Sequence, residues 1–495
     1  MQIILRDEFK SIQFTDYNFI LAQVLTTLRK LLKDWVYDTA LKYKLSPKIA
    51  NKAGGDLYVS GSLMLGVSGV TSDIDVLCVV PKFVKREEDF FGEFFRILKD
   101  HPDTKDLRGI KDAYVPLIKL KFSTIDIDLL FARLRFDSVN DSLKNLGDDS
   151  ILIDCDEQSI NSLNTYRNNE LILSLVPNKE TFQQTLKYIR VWAKRRHLYS
   201  NKLGLLGGIS WAILTAKICQ LFPKLPSNRL IGKFFTVFYK WHWNIPVLLC
   251  DIKESDMKQW NPKLSEGDQQ QVMPIITPAF PCVNSAYNVS RTTKKILLKE
   301  FRRGAKIAHK INSRIDDVSW MQLFKRYEIF KEYSHYLRID ALSRNSDDHI
   351  KWKGFVESRL RLLIQELELY SQDIGHLRPN TRGYEVTDNE YKYCTTFICG
   401  FKFKNPKKLP NFNQEYIVDL RAPILKFCEK IMTHRPGKEI NMRITHATLE
   451  KLPEEVFDHA TKSPYLNRKK LNSNLMCRLN KEEMSLVKRM KEKVK

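Results

Sequence analysis

Long apolar runs are missing from this 495-residue sequence: none reaches the roughly 20 residues needed to cross a bilayer, so no membrane partner is expected. The first fourteen residues mix charge with apolar side chains and lack the uncharged core of a secretion signal. Cys-x-x-Cys pairs are absent, and the nine cysteines are odd in number, which argues against a zinc ribbon or a disulfide scaffold. Cys78 and Cys219 lie inside apolar runs and read as buried free thiols of a reducing compartment. Internal repeats and long low-complexity tracts are also absent. Acid is in short supply. There are 58 Asp and Glu against 81 Lys and Arg, a net charge of +23. Such a surplus favours a polyanionic partner, nucleic acid being the commonest; a solubility charge without a partner is the plainer alternative.

What is present suits two to four globular domains, with 43% hydrophobic residues supplying several cores. In residues 17–45 the spacing of Ile20, Leu21, Val24, Leu25, Leu28, Leu31, Leu32 and Trp35 predicts a helix with one apolar face. Strand signals follow at 56–60, 74–80, 116–122 and 124–131, the last two as a hairpin, with a helix over 87–99. Together they predict an α/β unit over 45–165. Helices are predicted over 184–197, 209–221, 228–243, 291–314 and 352–370, with loops over 251–290. Strand signals return at 391–404, 416–420 and 439–444. The expected organisation is an N-terminal helical segment (1–44) packing on the middle domain, a catalytic domain (45–165), a middle domain (166–350), and a C-terminal RNA-binding domain with a basic tail (351–495).

The strongest local feature is Gly61-Ser62 followed by Asp73-Ile74-Asp75. A small pair after a strand lets backbone N–H groups approach a phosphate, and Ser62 adds a hydroxyl. Asp73 and Asp75 are two apart on a strand, so both carboxylates face one side, where they could bind hard divalent cations. Asp-x-Asp alone is weak, since Asp126-Ile127-Asp128 and Asp154-Cys155-Asp156 repeat it. Two things strengthen it here. Asp73 and Asp75 alternate with Ile74 and Val76 at the start of an apolar strand, where unpaired charge is costly, and Asp126-Ile127-Asp128 lies on a second strand of the same unit.

The ordered series resembles the nuclear poly(A) polymerases of eukaryotes, within the polymerase-β-type nucleotidyltransferases. It runs through Gly61-Ser62, Leu65-Gly66-Val67, Ser72-Asp73-Ile74-Asp75, Val115-Pro116-Leu117-Ile118-Lys119 and Ile127-Asp128-Leu129-Leu130-Phe131. It continues through Ser162-Leu163-Asn164, Trp192-Ala193-Lys194-Arg195-Arg196, Tyr199-Ser200-Asn201, Leu206-Gly207-Gly208-Ile209 and Met273-Pro274-Ile275-Ile276-Thr277-Pro278. The resemblance implies an α/β and α+β multidomain fold: a polymerase-β-like nucleotidyltransferase domain, a helical middle domain and an RRM-like C-terminal domain. It implies AMP transfer from ATP to RNA 3′ ends with two Mg²⁺ ions, Mn²⁺ being able to substitute. Asp73, Asp75 and Asp128 match the metal-binding carboxylates. Ser60, Gly61, Ser62, Asn164, Arg190, Tyr199, Asn201, Gly207, Gly208, Ile209 and Thr277 match the nucleotide-contacting positions. The partners implied are the RNA 3′ end, nascent poly(A) and cleavage and polyadenylation factors, for a nuclear monomer.

Three departures stand out. Ser60 replaces an aromatic, Leu63-Met64 replaces Tyr-Arg, and Arg190 replaces the lysine beneath the triphosphate. Arginine keeps the charge but exchanges a point donor for a planar fork, with weaker ATP affinity or altered base preference the expected result. A divergent RNA nucleotidyltransferase and a catalytically weak RNA-binding paralogue are the alternative readings. Trp211 reads as core. The basic helix 294–310 and the tail 468–495 fit either RNA phosphates or solvated faces.

Overall fold

The computed structural model describes residues 14–69, 72–140, 145–255, 257–313, 318–370, 374–403, 416–432, 439–457 and 475–478. Most of the basic tail therefore lies outside the described residues. No described helix is long and apolar enough to cross a membrane.

The first unit is a five-stranded sheet in the order β1-β2-β5-β4-β3. Its strands are β1 (Asp56–Val59), β2 (Ile74–Val80), β3 (Thr104–Ile110), β4 (Leu117–Phe122) and β5 (Ile125–Arg133). β2 and β5 run parallel, and the other neighbours are antiparallel. Period-two alternation sorts the side chains onto two faces. On one, Ile74, Val76, Cys78, Ile118, Leu120, Ile127 and Leu129 form a continuous core. On the other, Leu77, Val79, Leu130 and Ala132 pack beneath Ile160 and Leu163, while Asp75, Lys119 and Asp128 occupy the near end.

Helix α1 (Phe14–Lys42) covers the first face. The expectation that this segment packs on the middle domain is corrected: Leu21, Val24, Leu28, Leu32, Trp35 and Val36 join the strand core. Trp35 stacks on Phe94 at 4.6 Å, and Arg29 pairs with Asp56 at 2.6 Å. The reason is area: the sheet has an entire apolar face to hide, and α1 carries the longest free apolar stripe beside it. Truncating a fully buried Trp such as Trp35 costs roughly 3–5 kcal/mol.

The middle is helical: α2 (Glu157–Leu175), α3 (Lys179–Arg195), α4 (Gly208–Leu221), α5 (Ser227–Lys240) and α6 (Arg291–Asn312). Asp156 caps α2 through Ser159 N–H, and Asn178 caps α3 through Thr181 N–H. Trp192, Trp211, Phe234, Phe235 and Phe301 interlock as the aromatic centre, so Trp211 is core, as its apolar surroundings predict.

A second sheet follows, antiparallel, in the order β10-β6-β8-β7. It comprises β6 (His335–Ser343), β7 (Ile374–Glu385), β8 (Tyr393–Phe403) and β10 (Ile440–Thr448), with helices α7 (Ser346–Tyr370) and α8 (Arg421–Met432) on one face. A short parallel pair, β9 (Tyr416–Asp419) and β11 (Leu475–Arg478), stands beside it. The βαββαβ order matches the RRM-like expectation. A boundary at 351 is corrected, however. β6 is a central strand of this sheet and precedes that position.

Candidate active site

Where the polar end of the first sheet meets the helical middle, the chain encloses a cleft of about 1360 Å³. Gly61, Ser62, Asp73, Asn164, Arg190, Tyr199, Asn201, Gly208, Ile209 and Thr277 all line it. Residues separated by more than two hundred positions in sequence thus share one wall system.

The carboxylates are set by strand register. Asp75 and Asp128 are direct partners across the parallel β2–β5 pair, and Lys119 faces Asp128 from β4. Lys119 Nζ donates to Asp73 Oδ2 at 2.5 Å and to Asp128 Oδ1 at 3.0 Å. Burial pushes Asp75 up to about 6, with the charges of Asp128 and Asp73 adding to the effect. Burial also raises Asp128, against the opposing pull of Lys119. For Lys119, burial acts to lower its pKa, but the Asp73 hydrogen bond and the Asp128 charge outweigh it and the net direction is upward. Three acids therefore crowd one sheet end with a single lysine between two of them.

Among the described residues, no three His, Cys, Asp or Glu side chains converge into a ready metal site. The side-chain directions explain why: Lys119 holds Asp73 and Asp128, whereas Asp75 turns toward Gly61. The donor set nevertheless fits a hard divalent cation, being all carboxylate oxygen from neighbouring positions, three acids against the one lysine that pairs with two of them.

The Gly-Ser loop wraps this end. Gly61 has φ +63°, and a Cβ there would lie 1.8 Å from Asp75 Oδ2, so only glycine fits. Ser60 is corrected as a nucleotide contact: it is fully buried, with its backbone N–H and its hydroxyl both directed to the Asp75 carbonyl. It fastens the loop to β2. Gly207 likewise stays outside the lining, serving as the N-cap of α4.

Arg190 is buried and donates Nη1 to the Val67 carbonyl, tying α3 to the loop that follows Ser62. Its guanidinium lies 5.8 Å from the Tyr199 ring centre, and Lys194 Nζ lies 5.7 Å from the same ring. Two cations thus flank Tyr199 on the cleft wall. Gly208 permits this arrangement, since a Cβ there would lie 2.8 Å from Tyr199 Oη. Asn201 is held by Asn288 Nδ2, which donates to its carbonyl and its Oδ1 at 3.3 Å each. Thr277 Oγ1 accepts from Val283 N–H at 2.9 Å.

Sequence reasoning missed the residues that hold this wall. Arg167 is fully buried and donates to Asn164 Oδ1 at 2.7 Å, to the Phe280 carbonyl and to Asp149. Asn168 accepts from Ala279 N–H at 2.9 Å. Tyr114, Asn161, Tyr287, Trp260 and Gln271 also line the cleft unheralded. The one available signal was the polar character of 157–170, which lacks an apolar stripe yet lies between two packed elements.

Known proteins share this organisation. The poly(A) polymerase nucleotidyltransferase domain matches residues 21–176, the poly(A) polymerase central domain 181–326, and the poly(A) polymerase predicted RNA binding domain 328–392. A poly(A) polymerase of Dictyostelium discoideum is 38% identical over 461 residues, covering 91% of this chain and 56% of that protein. Nuclear poly(A) polymerase 1 of Arabidopsis thaliana is 38% identical over 457 residues, covering 91% of this chain and 63% of that one. This chain thus spans less than two thirds of either relative. Among solved structures, the Cid1 poly(U) polymerase aligns with a TM-score of 0.42 and 15% identity over 66% of this chain and 98% of Cid1, too distant to bear on base choice. With the three poly(A) polymerase domain models matched in consecutive order over residues 21–392, the chain belongs to the poly(A) polymerase family.

Proposed function

We propose that the chain is a template-independent polynucleotide adenylyltransferase, extending RNA 3′ ends with AMP from ATP. The observation that carries this reading is Asp73 on the wall of a cleft large enough for a nucleotide and an RNA end together, with Asp75 and Asp128 paired beside it just outside the lining. The RNA 3′-oxygen attacks the ATP α-phosphorus in line, the bond to the bridging oxygen breaks, and pyrophosphate leaves. Asp73, Asp75 and Asp128 would hold two Mg²⁺ ions, with Mn²⁺ able to substitute, and such ions neutralise phosphate charge and lower the pKa of the attacking hydroxyl.

The chain's own groups do the positioning. The backbone at Gly61 and Ser62 would face the phosphates, with Arg190, tied to the same loop through the Val67 carbonyl, and Lys194 supplying positive charge. Tyr199 offers a ring to the nucleoside, while Asn164, Asn201 and Thr277 offer polar groups around it. Gly208 and Ile209 supply a close, apolar wall. Three functional domains follow from this reading: a catalytic one carrying α1, a helical middle and a C-terminal RNA-binding one. The same reading assigns a monomer acting in the nucleus, recruited by cleavage and polyadenylation factors.

The test is extension of a short labelled oligo(A) with each nucleoside triphosphate separately, in Mg²⁺ or Mn²⁺, beside Asp75→Ala. ATP-dependent extension lost in the variant is expected. Extension with UTP instead, or RNA binding with no extension, would overturn the assignment.

A further inference from the structure

The positive surplus is not spread evenly. On α6 the exposed positions Arg291, Lys295, Lys299, Arg302 and Lys306 recur at three- and four-residue intervals, which places one cation per turn along a single face. The only acid in this 22-residue helix, Glu300, is buried and paired with Arg196. Helix α5 packs alongside, contains no acid at all, and exposes Arg229, Lys233 and Lys240. The two faces are continuous: Arg229 Nη1 donates to Asn312 Oδ1 at 2.7 Å, and the Arg302 guanidinium lies 5.9 Å from the ring of exposed Tyr239. Lys299 pairs with Glu332, but Arg291, Lys295, Arg302 and Lys306 have no ion pair among the described residues.

A solvated helix face ordinarily mixes both signs, because like charges at i,i+4 repel. Here the row runs for about 22 Å with only Lys299 paired to an acid. The ridge also has a defined origin. Tyr287 and Asn201 line the cleft, Asn288 is bonded to Asn201, and Ser290 caps α6 through Thr293 N–H. The cation row therefore begins at the cleft wall and runs away from it.

We propose that the α5–α6 face is a track for the single-stranded RNA upstream of the 3′ end. Phosphates would pair with the cation row, and Tyr239 would offer a stacking surface for a base. A polyanion fits better than an acidic peptide because the row is one continuous line with an aromatic beside it, starting where a nucleic-acid end must enter. The inference rests on the RNA-extension reading of the cleft.

The test compares oligo(A) of about 6 nucleotides, too short to seat its 3′ end in the cleft and also follow the whole row, with oligo(A) of about 20. The full chain is set beside a Lys295→Glu/Arg302→Glu/Lys306→Glu variant and its Gln counterpart. Expected is a loss of at least about tenfold in affinity for the long oligomer at physiological salt, with the salt slope falling by about 2, as three lost phosphate contacts on a single strand require. Affinity for the short oligomer and its extension with ATP should stay within about twofold, which also shows that the variant is folded. Unchanged long-oligomer binding in both variants overturns the track. So does loss of polyglutamate binding with oligo(A) binding intact, which would assign the face to an acidic protein. Absence of short-primer extension by the unaltered chain would instead strike the reading of the cleft.

Discussion

The two sheets of this molecule treat an acid on an interior strand in opposite ways. In the C-terminal sheet, Asp340 is 1% exposed on the central strand β6, and its Oδ1 takes Arg338 Nε at 2.8 Å and Thr396 Oγ1 at 2.6 Å. That sheet has an apolar cluster on each face, so its acid serves the fold. In the N-terminal sheet, Asp75 has two acids as neighbours and is pushed up by burial and by their charges. A sheet that tolerates such crowding forgoes stability at that point. Stability lost where a cleft opens is the expected mark of a site shaped for a ligand rather than for the fold.

The comparison can be broken most sharply at the two aspartates. Asp75→Asn should abolish nucleotide addition, by about a thousandfold or more, while leaving thermal stability equal or slightly raised. Asp340→Asn should do the reverse, costing about 3 kcal/mol in denaturant unfolding because Arg338 loses its partner, with the turnover of surviving protein little changed. Loss of stability in the first variant, or of activity alone in the second, would erase the distinction.

Next in size is Gly61→Ala. The added Cβ meets Asp75 Oδ2, and the positive φ strains the loop, so activity should fall by about a hundredfold with a stability cost of about 1–2 kcal/mol. Steady-state kinetics with circular dichroism melts checks both. Divalent cations sharpen the contrast further. Mg²⁺ should raise the melting temperature of the unaltered chain but not of Asp75→Asn, because a ligand stabilises only the state that binds it.

The smallest effect concerns a carboxylate of the helical connection into the C-terminal unit. Burial works to raise Glu332, but hydrogen bonds from Lys299 and Tyr327 outweigh it and hold the group down at about 2. Its contribution is present above the ordinary glutamate range near 4.5 and fades as the pH falls toward 2. Glu332→Gln should therefore flatten the acid side of the stability profile by about 1 kcal/mol, after solvent screening is allowed for, and leave nucleotide addition at neutral pH unaltered. Urea titrations across that range measure it.

Legibility followed burial chemistry. β4 was readable because one apolar face imposes alternation over Leu117–Phe122, and β2 and β5 because burial on both faces makes them short apolar runs. β3 was not, since it is an edge strand carrying Lys105, Asp106 and Arg108 with most side chains exposed. β7 was hidden by Pro379 and Gly383 around a register shift. α2 was hidden for a different reason. Its buried side includes Ser159 and Ser162, bonded within or at the start of the helix, and Arg167, Asn168 and Asn169, which hydrogen-bond the loops at 146, 279–280 and 61, so no apolar period marks it.

The sequence by itself determined the carboxylate spacing, the glycine at 61, the apolar stripes and the excess of positive charge, because these are properties of neighbours along the chain. Only the tertiary structure decided that Asp128 stands beside Asp75, that Lys119 bridges Asp73 and Asp128, that Ser60 faces inward, and that α1 belongs to the strand unit. Strand pairing and helix docking join residues tens of positions apart, and which face a strand turns to the cleft is settled by the partner covering its other side.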